Sequence, residues 1–192
     1  MAGAPASRIR EEFGTGRVES FPLSTDPDFR FALLRELFEN HWQEIVFGTL
    51  IQGAVFEIRV ADAPRRIGMG DGYLTVDFGL WHFHLCIGEH QGPARAPTPP
   101  EVARHRRTGR AEFYRILNDE DDTPRSWGLR LFNGGGEQQM TVFLPSPFHD
   151  GERMLAEPDW SRLGLWDQLR ARYLSIGPDA IDRKGPRRAC AG

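Results

Sequence analysis

Residues 72–87 read GYLTVDFGLWHFHLCI and decide the first part of the fold. β-Branched and aromatic residues alternate with polar ones, which is the period of a strand whose two faces differ. Gly79 divides the segment, so it predicts two strands, GYLTVDF and WHFHLCI. In the second strand His82, His84 and Cys86 share one face, while Trp81, Phe83, Leu85 and Ile87 form an apolar face on the other side.

Outward from this pair, apolar spacing and turn residues predict the remaining elements. They are a helix over Pro27–Trp42, strands over 44–50 and 54–60, an inserted helix over Glu101–Leu117 that starts at a capping box, a hairpin formed by WGLRLFN and QQMTVFL around NGGGE, and a helix from Pro158. This order predicts an α+β fold: an antiparallel β-sheet with flanking N- and C-terminal helices and an inserted helix.

The length of 192 residues predicts one domain. Residues 1–24 are expected to be a flexible leader, 25–176 the domain with an insert at about 92–125, and 177–192 a disordered basic tail. The start of the chain lacks the apolar segment of a secretory signal, and no stretch is long and apolar enough to span a membrane. Only two cysteines are present, so a reducing cytoplasm is the expected location.

The net charge of −3 gives no electrostatic drive toward nucleic acid, which disfavours a nucleic-acid-binding function. The basic run at 104–110 is most simply a solvated helix face. No nucleophile elbow, phosphate-binding loop or CxxC pair is present, so no motif demands an enzyme. A non-enzymatic interaction module that docks a partner through the inserted helix is therefore one hypothesis.

The row of His82, His84 and Cys86 is the strongest candidate site. Imidazole and thiolate ligands suit zinc or iron better than calcium or magnesium, and Glu89 and His90 follow closely enough to complete a set. One interpretation is a metal-binding protein or a small metal-dependent enzyme. The alternative is that these side chains only line a sheet surface and are satisfied by their neighbours.

Three segments match the sequence pattern of a known family. AVFEIRVADAP and GDGYLTV match its "VFEhKG…P…GYhNL" stretch, residues 79–85 match its "G..GHh" strand, and WGLRLFNGGGEQQMTVFLP is similar to its "ShQFFNxxGEAhFKhFhG" hairpin. The chain thus resembles the haem-utilisation family of the ChuX/HutX type, which is also the half-repeat of HemS-type proteins. The resemblance covers about residues 42–173, interrupted by the insert.

The resemblance implies an intracellular haem-binding protein that carries or stores haem. His84 falls on the strand histidine of the family and would be the axial ligand of the iron, with His82 and Cys86 as further candidates. Tyr73 falls on the aromatic residue of "GYhN" and would also contact haem. Arg104 and Arg107 are candidates to pair with the propionates.

Because related folds pair through the sheet, the resemblance also favours a homodimer. Two departures keep the alternatives open. The family's "SRPFMG" loop has no counterpart in DDTPRSWG. The family has small or non-ligand residues where His82 and Cys86 flank His84, so the denser cluster here also fits a bare iron or zinc ion.

Overall fold

The computed structural model describes residues 6–51, 53–151 and 153–185. The strands, in chain order, are β1 (Arg8–Glu12), β2 (Gly16–Pro22), β3 (Val46–Gly48), β4 (Leu50–Ile51), β5 (Ala54–Val55), β6 (Arg66–Gly70), β7 (Tyr73–Asp77), β8 (His82–Cys86), β9 (Thr108–Leu117), β10 (Pro124–Asn133), β11 (Gln138–Phe143), β12 (His149–Asp150) and β13 (Arg153–Met154). The α-helices are α1 (Pro27–Asn40), α2 (Pro100–Arg106) and α3 (Gly164–Leu174), and 3₁₀ turns lie at Trp160–Leu163 and Ala180–Arg183.

This architecture confirms the predicted α+β class, with antiparallel pairing in every strand pair whose register is defined. The chain divides into two compact units rather than forming the single unit that was expected. One unit contains residues up to 22, 112–129 and from 143 onward; the other contains 23–111 and 130–142. Among the described residues, no helix is both long and apolar enough to span a membrane.

In the second unit, β6, β7 and β8 form a three-stranded antiparallel sheet. β6 and β7 are joined at Asp71 and Gly72, which both have positive φ and are typical of a tight hairpin turn. The two long strands β9 and β10 continue into this unit, where β11 and then β3 follow β10 in strand order. The apolar face of β8 is covered, since Phe83 lies 5.3 Å from Phe38 of α1 between ring centroids.

Helix α1 forms as its sequence predicts. The Asp26 carboxylate accepts hydrogen bonds from the backbone N–H groups of Asp28 and Phe29, and Pro27 occupies the first turn. The buried face carries Leu33, Leu34, Leu37 and Phe38. The helix therefore supplies the apolar layer against which β8 is held.

In the first unit, β1, β2 and the other halves of β9 and β10 follow one another in strand order. Their apolar side packs around the buried indole of Trp166 in α3, whose ring makes edge contacts with Phe21 and Phe113. These aromatic contacts form the centre of the core of this unit.

A fully buried carboxylate lies in the same core. Asp182 Oδ1 accepts hydrogen bonds from Arg115 and from the indole N–H of Trp127, both at 2.8 Å. Asp182 Oδ2 accepts from the indole N–H of Trp166 at 3.0 Å and from Arg170 at 3.1 Å. Arg115 also pairs with Glu19. Every partner comes from a distant part of the chain, so Asp182 ties the 3₁₀ turn at 180–183 into the core.

These contacts correct two expectations about the chain ends. Residues 8–22 are not a flexible leader, because they form β1 and β2 and bury Val18 and Phe21. Residues 177–185 are not a disordered tail, because Asp182 is buried. The remainder of both expected segments, residues 1–5 and 186–192, lies outside the described residues.

The inserted helix is also shorter than predicted. α2 ends at Arg106, and after Arg107 the ten residues Thr108–Leu117 form strand β9, which pairs with β2. The spacing of Phe113, Ile116 and Leu117 fits a helix, but β9 is buried along most of its length on both faces, so period alone does not separate the two structures. Residues 66–70 form β6, a strand that is not among the elements predicted from the sequence.

Candidate functional site

Strand β8 presents two histidines on the outer face of the three-stranded sheet. His82 and His84 are exposed, and their rings lie 4.9 Å apart between centroids. Trp81 and Phe83 are on the opposite side, where both rings approach Phe47. The face that carries the imidazoles is therefore open, and the other face is packed.

The ring of His84 is held by the neighbouring strand. Thr75 lies directly opposite His84 in the antiparallel ladder, and His84 Nδ1 and Thr75 Oγ1 share a hydrogen bond of 2.7 Å. In the tautomer in which Nδ1–H donates to Thr75, Nε2 presents its lone pair to the open face. Such an outer hydrogen bond fixes the tautomer and orientation of a metal-binding imidazole.

Two glycines leave part of the outer face near His84 without side chains; we call this part the floor. Gly68 and Gly70 of β6 lie opposite Thr75 and Tyr73 in the ladder, and residues paired in this way share a face. A Cβ atom added at either glycine would meet nothing within 4 Å. At these two positions the outer face, which also carries His84 and Tyr73, has no side chain that would obstruct a planar group.

Cys86 lies on the same face but is buried. Its thiol donates to the carbonyl oxygen of Gly88 at 3.7 Å and is hydrogen bonded to the Tyr73 hydroxyl. Burial raises the pKa of the Cys86 thiol above its ordinary value, although the hydrogen bond from Tyr73 opposes this effect. A thiolate is needed for metal coordination, so this environment disfavours Cys86 as a ligand.

We therefore expect Cys86 to react slowly with iodoacetamide in the native protein. At pH 8 its alkylation should be about tenfold or more slower than in the protein unfolded in urea, because burial and the raised pKa both reduce the accessible thiolate. Mass spectrometry of the peptide that contains Cys86 measures the rate. Equal rates in the native and unfolded protein would contradict the buried thiol.

The five predicted metal ligands do not come together. His90 Nδ1 contacts Asp71 Oδ2 at 2.8 Å and Nε2 bonds to Thr98 Oγ1 at 2.9 Å, so both ring nitrogens are engaged within the chain. Glu89 is paired with Arg107 instead. Throughout residues 6–51, 53–151 and 153–185, no group of three or more His, Cys, Asp or Glu side chains is arranged to hold a metal ion. The bare-metal site predicted from His82, His84, Cys86, Glu89 and His90 is therefore wrong for the described residues.

A basic pocket lies beyond Tyr73, and we call it the arginine pocket. The Tyr73 ring makes edge contacts with His84 on one side, at 6.5 Å between centroids, and with His90 on the other, at 5.0 Å. The pocket has a volume of about 270 Å³ and is lined by Glu89, His90, Gln91, Pro100, Ala103, Arg104 and Arg107. Arg104 of α2 and Arg107, which caps the end of this helix, thus border a cavity that adjoins the outer face through Tyr73.

A further cation lies near this pocket. Arg30 of α1 is buried and donates to the carbonyl oxygens of Ile87, at 3.1 Å, and Thr108, at 2.6 Å. Burial is the main cause that lowers the pKa of the Arg30 guanidinium, and the charge of Arg107 lowers it further. Arg30 therefore adds positive charge near Arg107, and Glu89, which pairs with Arg107, offsets part of it.

The sequence predicts His84, Tyr73, Arg104 and Arg107 as site residues. It does not predict the residues that lie next to them on the outer face. Thr75, Gly68 and Gly70 belong to the hairpin of β6 and β7. The Asp71-Gly72 dipeptide between two alternating segments is a strong local hairpin signal and would have identified β6. The role of Arg30 has no comparable signal, because it depends on carbonyl groups distant in sequence.

The comparisons with solved structures give divergent matches. The chain is similar to a protein from Agrobacterium tumefaciens at 14% identity and a TM-score of 0.48, covering 84% of this chain and 73% of that one. It is similar to ChuX at 13% identity and a TM-score of 0.47, covering 82% and 78%. A protein from Erwinia carotovora matches at 13% identity and a TM-score of 0.43, covering 82% and 76%. The predicted resemblance to the ChuX type is confirmed at this divergent level.

No curated protein matches the sequence at a significant level. A family model described as a family of unknown function, DUF7676, matches residues 7–175. Sequence identities this low do not identify the functional residues of this chain.

Proposed function

The chain belongs to the DUF7676 family of unknown function, and we propose that it is an intracellular protein that binds one haem on the outer face of β6, β7 and β8 and carries or stores it. The observation that carries the proposal is the arrangement around His84. An exposed imidazole is oriented by Thr75 and stands beside a floor that Gly68 and Gly70 leave clear. A planar ring with an iron centre matches both features.

In this proposal His84 is the axial ligand of the iron. Imidazole is a common haem ligand, and the bond from Nδ1 to Thr75 leaves Nε2 for the metal. His82 lies beside His84 and is the second candidate. Haem would supply the iron, and carriage or storage requires the protein only to hold the ring and shield one of its faces.

The arginine pocket is the proposed site for the propionates. Arg104 and Arg107 can donate charge-assisted hydrogen bonds to carboxylates, and the Arg30 charge strengthens the local positive potential. Tyr73 contacts both His84 and His90, so it would lie along the edge of the ring between the iron and the carboxylates. The residues present therefore fit haem in ligand type, in charge and in open surface.

The test is a titration of the purified protein with hemin, followed by its Soret absorbance. The wild-type protein should give a saturable shift at one haem per chain, and His84→Ala should remove it. Thr75→Val keeps the side-chain shape and removes the hydrogen bond, so it should weaken binding by about tenfold or more. His149→Ala, which changes an exposed histidine of β12, is the matched control and should leave the titration unchanged.

A variant with a larger side chain tests the open surface at Gly68 without changing any residue proposed to bind the iron. Gly68→Ile should block haem while leaving the fold intact, because the added side chain extends into open space. An unchanged Soret titration in His84→Ala, or normal binding by Gly68→Ile, would overturn the proposal.

A further inference from the structure

The second unit contains an apolar cavity that the proposed haem site does not use. Six apolar side chains line it, and we call it the aromatic cleft: Phe47, Phe56, Ile58, Trp81, Phe83 and Met140. Its volume is about 270 Å³, and Gly48 and Thr49 complete the lining among the described residues. None of these described lining residues carries a charge.

The wall of the aromatic cleft is a preformed stack of rings. Phe78 and Trp81 stack with centroids 4.5 Å apart and planes inclined by 22°. Trp81 and Phe47 are inclined by only 27°, at 6.3 Å. Of these three rings, Trp81 and Phe47 line the cleft, and their nearly parallel planes favour a flat ring over a chain without planar groups.

The opposite wall is held at a fixed distance by the backbone. Phe56 N–H donates to the carbonyl oxygen of Thr49 at 3.1 Å, and Phe47 and Ile58 exchange backbone hydrogen bonds. A Cβ atom at Gly48 would overlap the Phe56 carbonyl, so the glycine permits this close approach. The Phe56 ring is 58% exposed, so its position at the mouth leaves apolar surface in contact with water.

We propose that the aromatic cleft binds a small, uncharged molecule that carries a planar aromatic ring. The lining offers no partner for a charged group, which excludes carboxylate-bearing ligands such as haem itself. Its volume is slightly smaller than that typical of ligand pockets, which suits a molecule of one or two rings. Trp81 and Phe83 point away from His82 and His84, so this site and the haem site occupy opposite faces of β8.

The probe is 6-propionyl-2-(dimethylamino)naphthalene, a neutral two-ring fluorophore, titrated into the full chain. Its fluorescence should rise to saturation at one molecule per chain. Phe56→Asp, which puts a charge at the mouth, should weaken binding by about tenfold or more, and Phe56→Ala should weaken it less. Phe13→Asp is the matched control, because Phe13 is 99% exposed and lies in the other unit.

Competition identifies the ligand chemistry. 2-Naphthol should displace the probe, whereas 1-octanol at the same concentration should not. Equal displacement by octanol would overturn the assignment of an aromatic ligand. Binding that does not saturate, or that Phe56→Asp leaves unchanged, would overturn the site itself.

Different variants test the haem site and the aromatic cleft, so either proposal can be contradicted while the other stands. His84→Ala should retain binding of the fluorophore, and Phe56→Asp should retain the hemin titration of the wild-type protein. Loss of hemin binding in Phe56→Asp, in a protein whose circular dichroism is unchanged, would contradict the assignment of two separate sites.

Discussion

Replacing Asp182 with alanine is expected to lower the free energy of unfolding by about 3–5 kcal/mol. The carboxylate accepts four hydrogen bonds, from Arg115, Trp127, Trp166 and Arg170, and is completely inaccessible to solvent. Its removal leaves two guanidinium groups and two indole N–H groups buried without this partner. Breaking a buried ion pair by removing one member is costly because the remaining charge cannot be solvated.

The neighbouring carboxylates affect the pKa values of Arg115 and Arg170 differently. Burial alone would lower the pKa of Arg115, but Asp182 and Glu19 together raise it above its ordinary value. Burial is the main cause that lowers the pKa of Arg170, and the neighbouring Arg115 charge lowers it further, although Asp182 opposes this. Arg115 keeps Glu19 and Asp179 as ion-pair partners when Asp182 is removed, so the loss of one carboxylate does not leave it without a counter-charge.

Urea denaturation monitored by tryptophan fluorescence measures the change. Asp179→Asn is the matched control, because Asp179 also pairs with Arg115, at 3.1 Å, but its side chain is 37% exposed. We expect this control to cost less than about 1 kcal/mol. A similarly small effect of Asp182→Ala would show that the buried network contributes little to stability.

Replacing Gly72 with alanine is expected to destabilise the protein by about 2–5 kcal/mol. Gly72 has a φ of +80°, which is unfavourable for a residue with a side chain. A Cβ atom there would also lie 2.5 Å from the carbonyl carbon of Glu89 and 2.8 Å from the backbone nitrogen of His90. Because these obstacles are backbone atoms, relief requires the segment at 89–90 to move.

The same substitution should loosen the end of β8. The Gly72 carbonyl accepts hydrogen bonds from the backbone N–H groups of Ile87, at 3.0 Å, and Gly88, at 2.9 Å. Amide hydrogen exchange at these two residues should therefore accelerate. Gly136→Ala is the control: its φ is +84° but no atom lies within 4 Å of the added Cβ, so only the conformational cost of about 1–2 kcal/mol remains. Equal effects of the two variants would exclude the backbone clash as a cause.

Local signals in the sequence predict much of the second unit. The cap formed by Asp26 and Pro27 predicts the start of α1, and the alternation in residues 73–86 predicts β7 and β8 together with the face on which each side chain lies. The side chains that border the proposed haem site on β7 and β8 follow from this alternation. Thr75 is part of it, but its bond to His84 depends on the register between two strands, which the alternation alone does not specify.

The first unit is less predictable because its order depends on distant pairing. β2 pairs with β9, about a hundred residues later, and Phe21 packs against Trp166, which is further away still. Asp182 lies in a polar, basic stretch that resembles a solvated tail, and its burial depends on four donors from three other segments. The sequence of residues 177–185 has no periodicity that would predict these hydrogen bonds.

The pairing of β2 with β9 has a consequence for biosynthesis. At a translation rate of about 5–20 residues per second, β2 leaves the ribosome about 5–20 s before the segment of β9 that it joins. During this interval a newly made strand with two apolar side chains exposes an unsatisfied edge, which is a target for chaperones and for wrong association with other nascent chains. The yield of correctly folded protein should therefore depend on whether chaperones protect β2 until β9 has been synthesised.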